Sequence, residues 1–162
     1  MNNTKIWGKV LASDETIKYE FSISGLYLAF NFFIRLLLAL LAFPFVYTIS
    51  PEVATALMAI FLAASLFYYG FFLRAANAYA LTDQRVIIHR GWLNTKAICI
   101  DYQKITDITV FSPFLENILT GSGDIHIDTA GTPGQEIVLR HIPRPYEIRK
   151  KLEEIRRPNS AT

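Results

Sequence analysis

The hydrophobic pattern of the chain changes three times. Within residues 1–25 it is mixed, and Thr16 to Ser22 (Thr-Ile-Lys-Tyr-Glu-Phe-Ser) alternates polar and apolar positions with the period of a strand. From Leu26 to Ile49, and again from Val53 to Leu73, the chain is almost continuously apolar. A helix needs about 20 such residues, at about 1.5 Å each, to cross the hydrocarbon of a bilayer. Both runs are long enough. Ser50-Pro51-Glu52 separates them with turn chemistry and a charge that prefers water. Neither run carries the polar stripe that a helix at a soluble surface needs. The pattern predicts a membrane-spanning helical hairpin over 26–73, with spans 26–49 and 53–73.

From Asn77 the pattern turns to alternation. Ala78 to Thr82 and Arg85 to His89 read as two strands joined by Asp83-Gln84. Lys96 to Tyr102 reads as a third, with Ile98 and Ile100 on one face. Ile105, Ile108 and Val110 mark a fourth, Asp124 to Asp128 a fifth and Gln135 to Ile142 a sixth. Gly91, Gly121-Ser122-Gly123 and Gly131 to Gly134 supply the turns. Ile148, Leu152 and Ile155 then recur at helical spacing behind Pro145, and Arg157-Pro158 is expected to end that helix. Antiparallel strands followed by one amphipathic helix predict a β-barrel or sandwich capped by the C-terminal helix. The chain thus divides into an N-terminal segment 1–25 that can add a strand to the β domain, the hairpin 26–73, the β domain 74–157 and a disordered tail 158–162.

Charge sets the sidedness of the hairpin. Lys5, Lys9 and Lys18 precede it, Arg74, Arg85 and Arg90 follow it, and the connecting turn has no Lys or Arg. By the positive-inside rule both termini lie in the cytoplasm, and the protein is a multi-pass protein of the inner or plasma membrane. Tyr68, Tyr69, Phe71 and Phe72 stand where an aromatic belt would lie. The formal net charge of +2 is too small to point to nucleic acid. The single cysteine, Cys99, excludes an intramolecular disulfide. It is either a small buried thiol or an outward position of its strand.

Arg35 breaks the first span. A charge at mid-bilayer costs about 2.5–3.5 kcal/mol on insertion scales. Two explanations stand: a buried partner, either Glu52 or a second subunit, or snorkelling toward the inner headgroups. Pro44 is a candidate kink. Ala54, Ala56, Ala59, Ala63, Ala64 and Ser65 allow close helix packing in the second span.

Several motifs of the β domain stand in a fixed order: Tyr79-Ala-Leu-Thr-Asp-Gln-Arg-Val-Ile, Arg90-Gly91, Ile100-Asp101 and Ile105-Thr-Asp-Ile-Thr-Val. Ser112-Pro113-Phe114-Leu115, Leu119-Thr-Gly-Ser-Gly-Asp-Ile, Ile137-Val-Leu and Ile142-Pro follow. Together they resemble the bacterial pleckstrin-homology-like domain over about residues 74–157. Members often carry two membrane helices just upstream. The resemblance implies a seven-stranded barrel with a C-terminal helix, and no activity.

Catalytic chemistry finds no support in the sequence. His89, His126 and His141 fall on different predicted strands without a second ligand at metal spacing, so no metal or cofactor is expected. Asp101, Asp107, Asp124 and Asp128 fit outward strand positions. There is no nucleophile elbow, P-loop or dinucleotide fingerprint, and no small-molecule substrate is implied. The turn His89 to Lys96 is the candidate contact surface, through Arg90, Trp92 and Lys96. Eukaryotic relatives in fold hold phosphoinositide headgroups on such early loops. The basic helix face of Arg149, Lys150, Lys151, Arg156 and Arg157 has Glu147, Glu153 and Glu154 at pairing distance.

The expected function is a membrane-anchored, non-enzymatic interaction or scaffolding module that meets a protein partner or copies of itself. The alternative is recognition of anionic lipid, or membrane stress sensing, through the 89–96 loop. A third possibility is a transporter or channel component that uses Arg35 within an oligomer.

Overall fold

The computed structural model describes residues 7–8, 10–91, 94–130 and 137–159. Among these, seven strands form two antiparallel sheets. The first has the order β1 (Ile17–Ser22), β2 (Asn77–Thr82), β3 (Arg85–Arg90), β4 (Lys96–Asp101), and the second β5 (Ile105–Phe111), β6 (Ser122–Thr129), β7 (Ile137–Pro143). β1 comes from before the hairpin and pairs with β2 from after it, Phe21 opposite Tyr79. The β domain is therefore assembled from both sides of the long helices. Gln135, expected in the last strand, lies outside the described residues.

Strand alternation explains the core. Tyr79 and Leu81 on β2 and Val86 and Ile88 on β3 face inward, where they meet Ile125 and Ile127 of β6 and Leu139 of β7. The opposite faces of β2 and β3 carry Ala78, Ala80 and Ile87. These are buried too, because Trp7, Val10 and Leu11 of the N-terminal segment lie over them. Glu15 fixes that segment: its buried carboxylate takes the Arg85 guanidinium at 2.7 Å and the Thr82 hydroxyl at 2.7 Å.

The expected barrel is not closed. No strand of one sheet pairs with a strand of the other among the described residues. The reason lies between β4 and β5, where Tyr102–Lys104 form a 3-10 turn instead of continuing the strand. Tyr102, expected at a strand end, is buried there and donates its hydroxyl to the Thr82 carbonyl at 2.8 Å. Arg90 bridges the sheets by donating to the Val138 carbonyl of β7. The last helix, Pro145–Asn159, places Ile148 and Leu152 in the core beside β5 and β6. It ends at Asn159, just past Arg157, within the fraying expected of a helix end.

The hairpin begins with α1 (Gly25–Ile49), whose N-terminus is capped by Ser24: its hydroxyl oxygen accepts the Tyr27 N–H at 3.4 Å. Pro51 then opens α2 (Pro51–Ser65), at a position where a missing N–H removes no helical bond. Leu66–Phe72 are π-helical, and α3 (Leu73–Ala76) follows. α1, and the helical run Pro51–Ala76 that α2, the π-helical segment and α3 make together, are each apolar and long enough to cross a membrane. Leu37, Leu41, Phe45, Ile49 and Ile60 stand exposed on their surface. α3 runs into β2 at Asn77 without a linker, and only Ile23 and Ser24 separate β1 from α1. The β domain is thereby fixed to the foot of the hairpin on two adjacent strands.

One element has no counterpart in the expected order. Phe114–Thr120 form a two-turn helix, α4, between β5 and β6. The C-terminal helix Pro145–Asn159 is accordingly α5.

Candidate functional site at the foot of the hairpin

The site is built on a defect in the β6–β7 ladder. Gly123 pairs with Ile142 and Ile125 with Leu139, so Arg140 and His141 together oppose Asp124. Two residues against one make a β-bulge. His141 sits there with φ +51°, in the left-handed region. The bulge removes both backbone groups of His141 from the ladder, and both find partners. Its N–H donates to Asp124 Oδ1 at 2.8 Å. Its carbonyl accepts the Ser24 N–H at 2.7 Å, at the start of α1. A buried backbone group without a partner is expensive, so this pairing sets the chain path.

The imidazole of His141 joins three elements. Its ring stacks on Tyr27 of α1, with centroids 3.9 Å apart and planes 9° from parallel. Its Nδ1 lies 2.9 Å from Glu116 Oε1 on α4 and 3.9 Å from Asp124 Oδ1. Glu116 also accepts the Ser122 hydroxyl at 2.8 Å. α4 ends at Gly121, whose φ of +59° is that of a left-handed helix cap, and the Gly121 N–H closes on Asn117 at 2.9 Å. The turn thus brings Ser122 back beneath Glu116.

One ligand atom from each of Glu116, Asp124 and His141 lies within 4.8 Å of the others. An imidazole nitrogen and two carboxylate oxygens are donors that suit a borderline divalent cation. Here they already satisfy one another and the bulged backbone. Their evident work is mechanical, tying α4, β6 and β7 to the first turn of α1.

The residues singled out in the sequence lie nearby but apart. Arg90 ends β3 and is committed to Val138. Lys96, paired with Arg90 across the ladder, is exposed. Trp92 lies outside the described residues. The Gly91 N–H donates to the Ala76 carbonyl at 2.7 Å, which puts the start of this turn against the end of α3. Cys99 takes the outward alternative and is exposed on β4. His89 is buried in β3, and burial lowers its pKa. Arg35 lies within the hairpin, its guanidinium carbon 5.2 Å from the centre of the Tyr69 ring. Glu52 is at the far end, about 20 Å away by helix rise, and is not its partner.

Sequence reasoning missed Tyr27, Glu116 and the grouping of Asp124 with His141. Asp124 looked like an ordinary strand-end carboxylate. The available signal was one aspartate and one histidine, Asp124 and His141, on successive predicted strands, which become a site only once the register and the bulge are known.

The same architecture occurs elsewhere. A DUF1696-family protein with a pleckstrin-homology domain from Shewanella loihica PV-4 superposes with a TM-score of 0.50 over 95% of this chain and 93% of that one, at 8% sequence identity. No curated protein sequence matches the chain. The sequence does match a family, over residues 23–156, a stretch that takes in the hairpin, the strands from β2 to β7 and most of α5. The chain belongs to the bacterial PH domain family.

Proposed function

We propose that this chain is a membrane-anchored, non-enzymatic interaction or scaffolding module, with its PH-like domain held at the cytoplasmic face. The observation that carries this is the hairpin itself. Two helices of 25 and 26 residues expose apolar side chains almost throughout, and protein covers very little of them. Exposing that much contiguous apolar surface to water is strongly unfavourable, whereas acyl chains accept it. Membership of the family supports a binding or scaffolding role in general. The distribution of Lys and Arg supports cytoplasmic termini. The direct joins from β1 to α1 and from α3 to β2 make the domain a rigid extension of its anchor, suited to presenting a surface at a fixed height to a protein partner or to a second copy.

The test is carbonate extraction of membranes from cells expressing the full chain. Protease accessibility of the C-terminal half from either side, and crosslinking in a mild detergent, complete it. The protein should stay with the membrane pellet, resist protease added outside intact cells, and crosslink to a partner or to itself. Folded protein in the supernatant would overturn the anchoring. A strictly monomeric, partner-free species would overturn the scaffolding role.

A second reading, recognition of anionic lipid or membrane stress sensing through the 89–96 loop, is favoured by the Gly91–Ala76 contact, which keeps this turn at the foot of the hairpin. Because Arg90 bridges the two sheets, Lys96 is the cleaner probe. In nanodiscs of increasing anionic lipid content, the accessibility of residue 96 should fall, and salt should restore it. No dependence on lipid charge would remove this reading.

A further inference from the structure

From the surface of α4 we infer a second, in-plane membrane contact: α4 and the adjoining Phe111 form an apolar ledge that embeds in the inner leaflet beside the foot of α1. The inference rests on the membrane placement of the hairpin and goes beyond it.

Phe114 is 76% exposed, Leu115 69%, Ile118 65% and Leu119 52%, and Phe111 at the end of β5 is 58% exposed. Five large apolar side chains stand together on one short segment. The only charge within 111–120 is Glu116, and it turns inward to His141 and Ser122. Thr120 is likewise buried, with its hydroxyl on the Glu116 carbonyl. Glu116 and Thr120 of α4 thus face the protein, while its four apolar side chains face away, with Asn117 the one polar residue among them. A water-facing helix shows the reverse arrangement.

Its place in the fold identifies the occupant. α4 packs against α1 and shares His141 with Tyr27, so it lies at the level of the first turn of that helix. α1 has 25 residues, a length of about 37 Å against a hydrocarbon core of about 30 Å. The surplus puts its first turn at the boundary between headgroups and acyl chains. Leu26, 68% exposed at that level, makes the apolar surface of the hairpin continuous with that of the ledge. Helices with such a face lie in this boundary zone, with aromatic and leucine side chains in the outer acyl region. A lipid surface therefore covers the ledge, and the His141 clamp fixes its depth.

Site-specific quenching in liposomes tests this on the full chain. With Cys99→Ser as background, single cysteines at Leu115, Ile118, Leu37 and Gln84 receive an environment-sensitive fluorophore. The lipids carry spin labels either near the headgroup end or near the terminal end of the acyl chain. Leu115→Cys and Ile118→Cys should be quenched several-fold more by the shallow label than Gln84→Cys in the β2–β3 turn. Leu37→Cys, within the span, should respond to the deep label. If Leu37 is quenched and both ledge positions are not, the ledge is refuted and the anchor stands. If Leu37 is also unquenched, both fail. Ledge positions shielded from aqueous quencher but indifferent to lipid, with cysteine crosslinks between chains, would assign the surface to a second copy and overturn the proposal.

Discussion

Tyr27, in the first turn of α1, lies flat on His141 in the bulge of β7, the rings 3.9 Å apart and nearly parallel. The contact joins an apolar helix to a strand more than a hundred residues later in the chain. It is one point of a cluster in which Ser24, Glu116 and Asp124 also hold His141. Aromatic pairs contribute about 0.5–1.5 kcal/mol beyond the area they bury. Tyr27→Ala and His141→Ala should therefore be non-additive, with a coupling of about 1 kcal/mol in a double-mutant cycle read from unfolding in one detergent. Strict additivity would mean that the stacked rings contribute nothing to the join.

Gly91 and Gly121 both have positive φ, but their surroundings differ. At Gly91, with φ +96°, a Cβ would come within 1.9 Å of the Asn94 carbonyl oxygen; at Gly121, with φ +59°, it would meet open space. Gly121→Ala should cost only about 1 kcal/mol, the usual conformational penalty. Gly91→Ala adds a backbone collision at the foot of α3 and should cost about 2–3 kcal/mol. Thermal midpoints of the two variants in the same detergent give the order, and equal losses would show that the β3–β4 turn relaxes freely.

Glu15 should make the N-terminal segment sensitive to acid. Burial pushes its pKa up, but hydrogen bonds from Arg85, Thr82 and Ala12 outweigh burial, and the folded value lies below the usual 4.5. A lowered folded pKa means that the ionised carboxylate stabilises the fold. That contribution is complete above the unfolded pKa and is lost as pH falls through the folded value. Trp7, 2% exposed, reports on the same segment. In a Trp92→Phe background, Trp7 emission should stay blue-shifted from neutral pH to about 4.5 and move red only at lower pH. Glu15→Ala should expose Trp7 already at neutral pH, at a cost of about 1.5–3 kcal/mol for hydrogen bonds to a charged group. A Trp7 transition at the same pH in native and Glu15→Gln chains would assign it to another carboxylate.

Much of this architecture can be read in the sequence, because the elements concerned follow one period over many residues. The long apolar runs, the alternation through Tyr79 to Ile88 and the stripe Ile148, Leu152 and Ile155 each announce their element. α4 does not. Phe-Leu-Glu-Asn-Ile-Leu-Thr is two turns long, and its apolar residues stay exposed, so no buried face marks it as a helix. The departure from a closed barrel is equally hidden, since Tyr102 suits a strand until its hydroxyl is seen to reach Thr82. The clamp is hidden more deeply. Glu116 and His141 are 25 residues apart and meet only because of a one-residue bulge and a left-handed glycine cap.

Arg35 supplies the sharpest contest of magnitudes in the hairpin. It lies ten residues into α1, about 15 Å from its start, and its guanidinium faces the Tyr69 ring in the π-helical segment. A cation over a ring contributes about 0.5–2 kcal/mol, depending on desolvation. Placing an arginine near the middle of a span costs about 2.5–3.5 kcal/mol. If Tyr69 and the snorkelling side chain are all that offset this charge, Arg35→Leu should stabilise the hairpin, raising its thermal midpoint and the fraction inserted in a glycosylation-mapping assay. Tyr69→Leu should lower stability while Arg35 is present and much less in the Arg35→Leu background. A loss of stability or of self-association on Arg35→Leu would reverse the conclusion: the arginine would then have a stronger partner than one aromatic ring, and a second copy of the chain is the place to look for it.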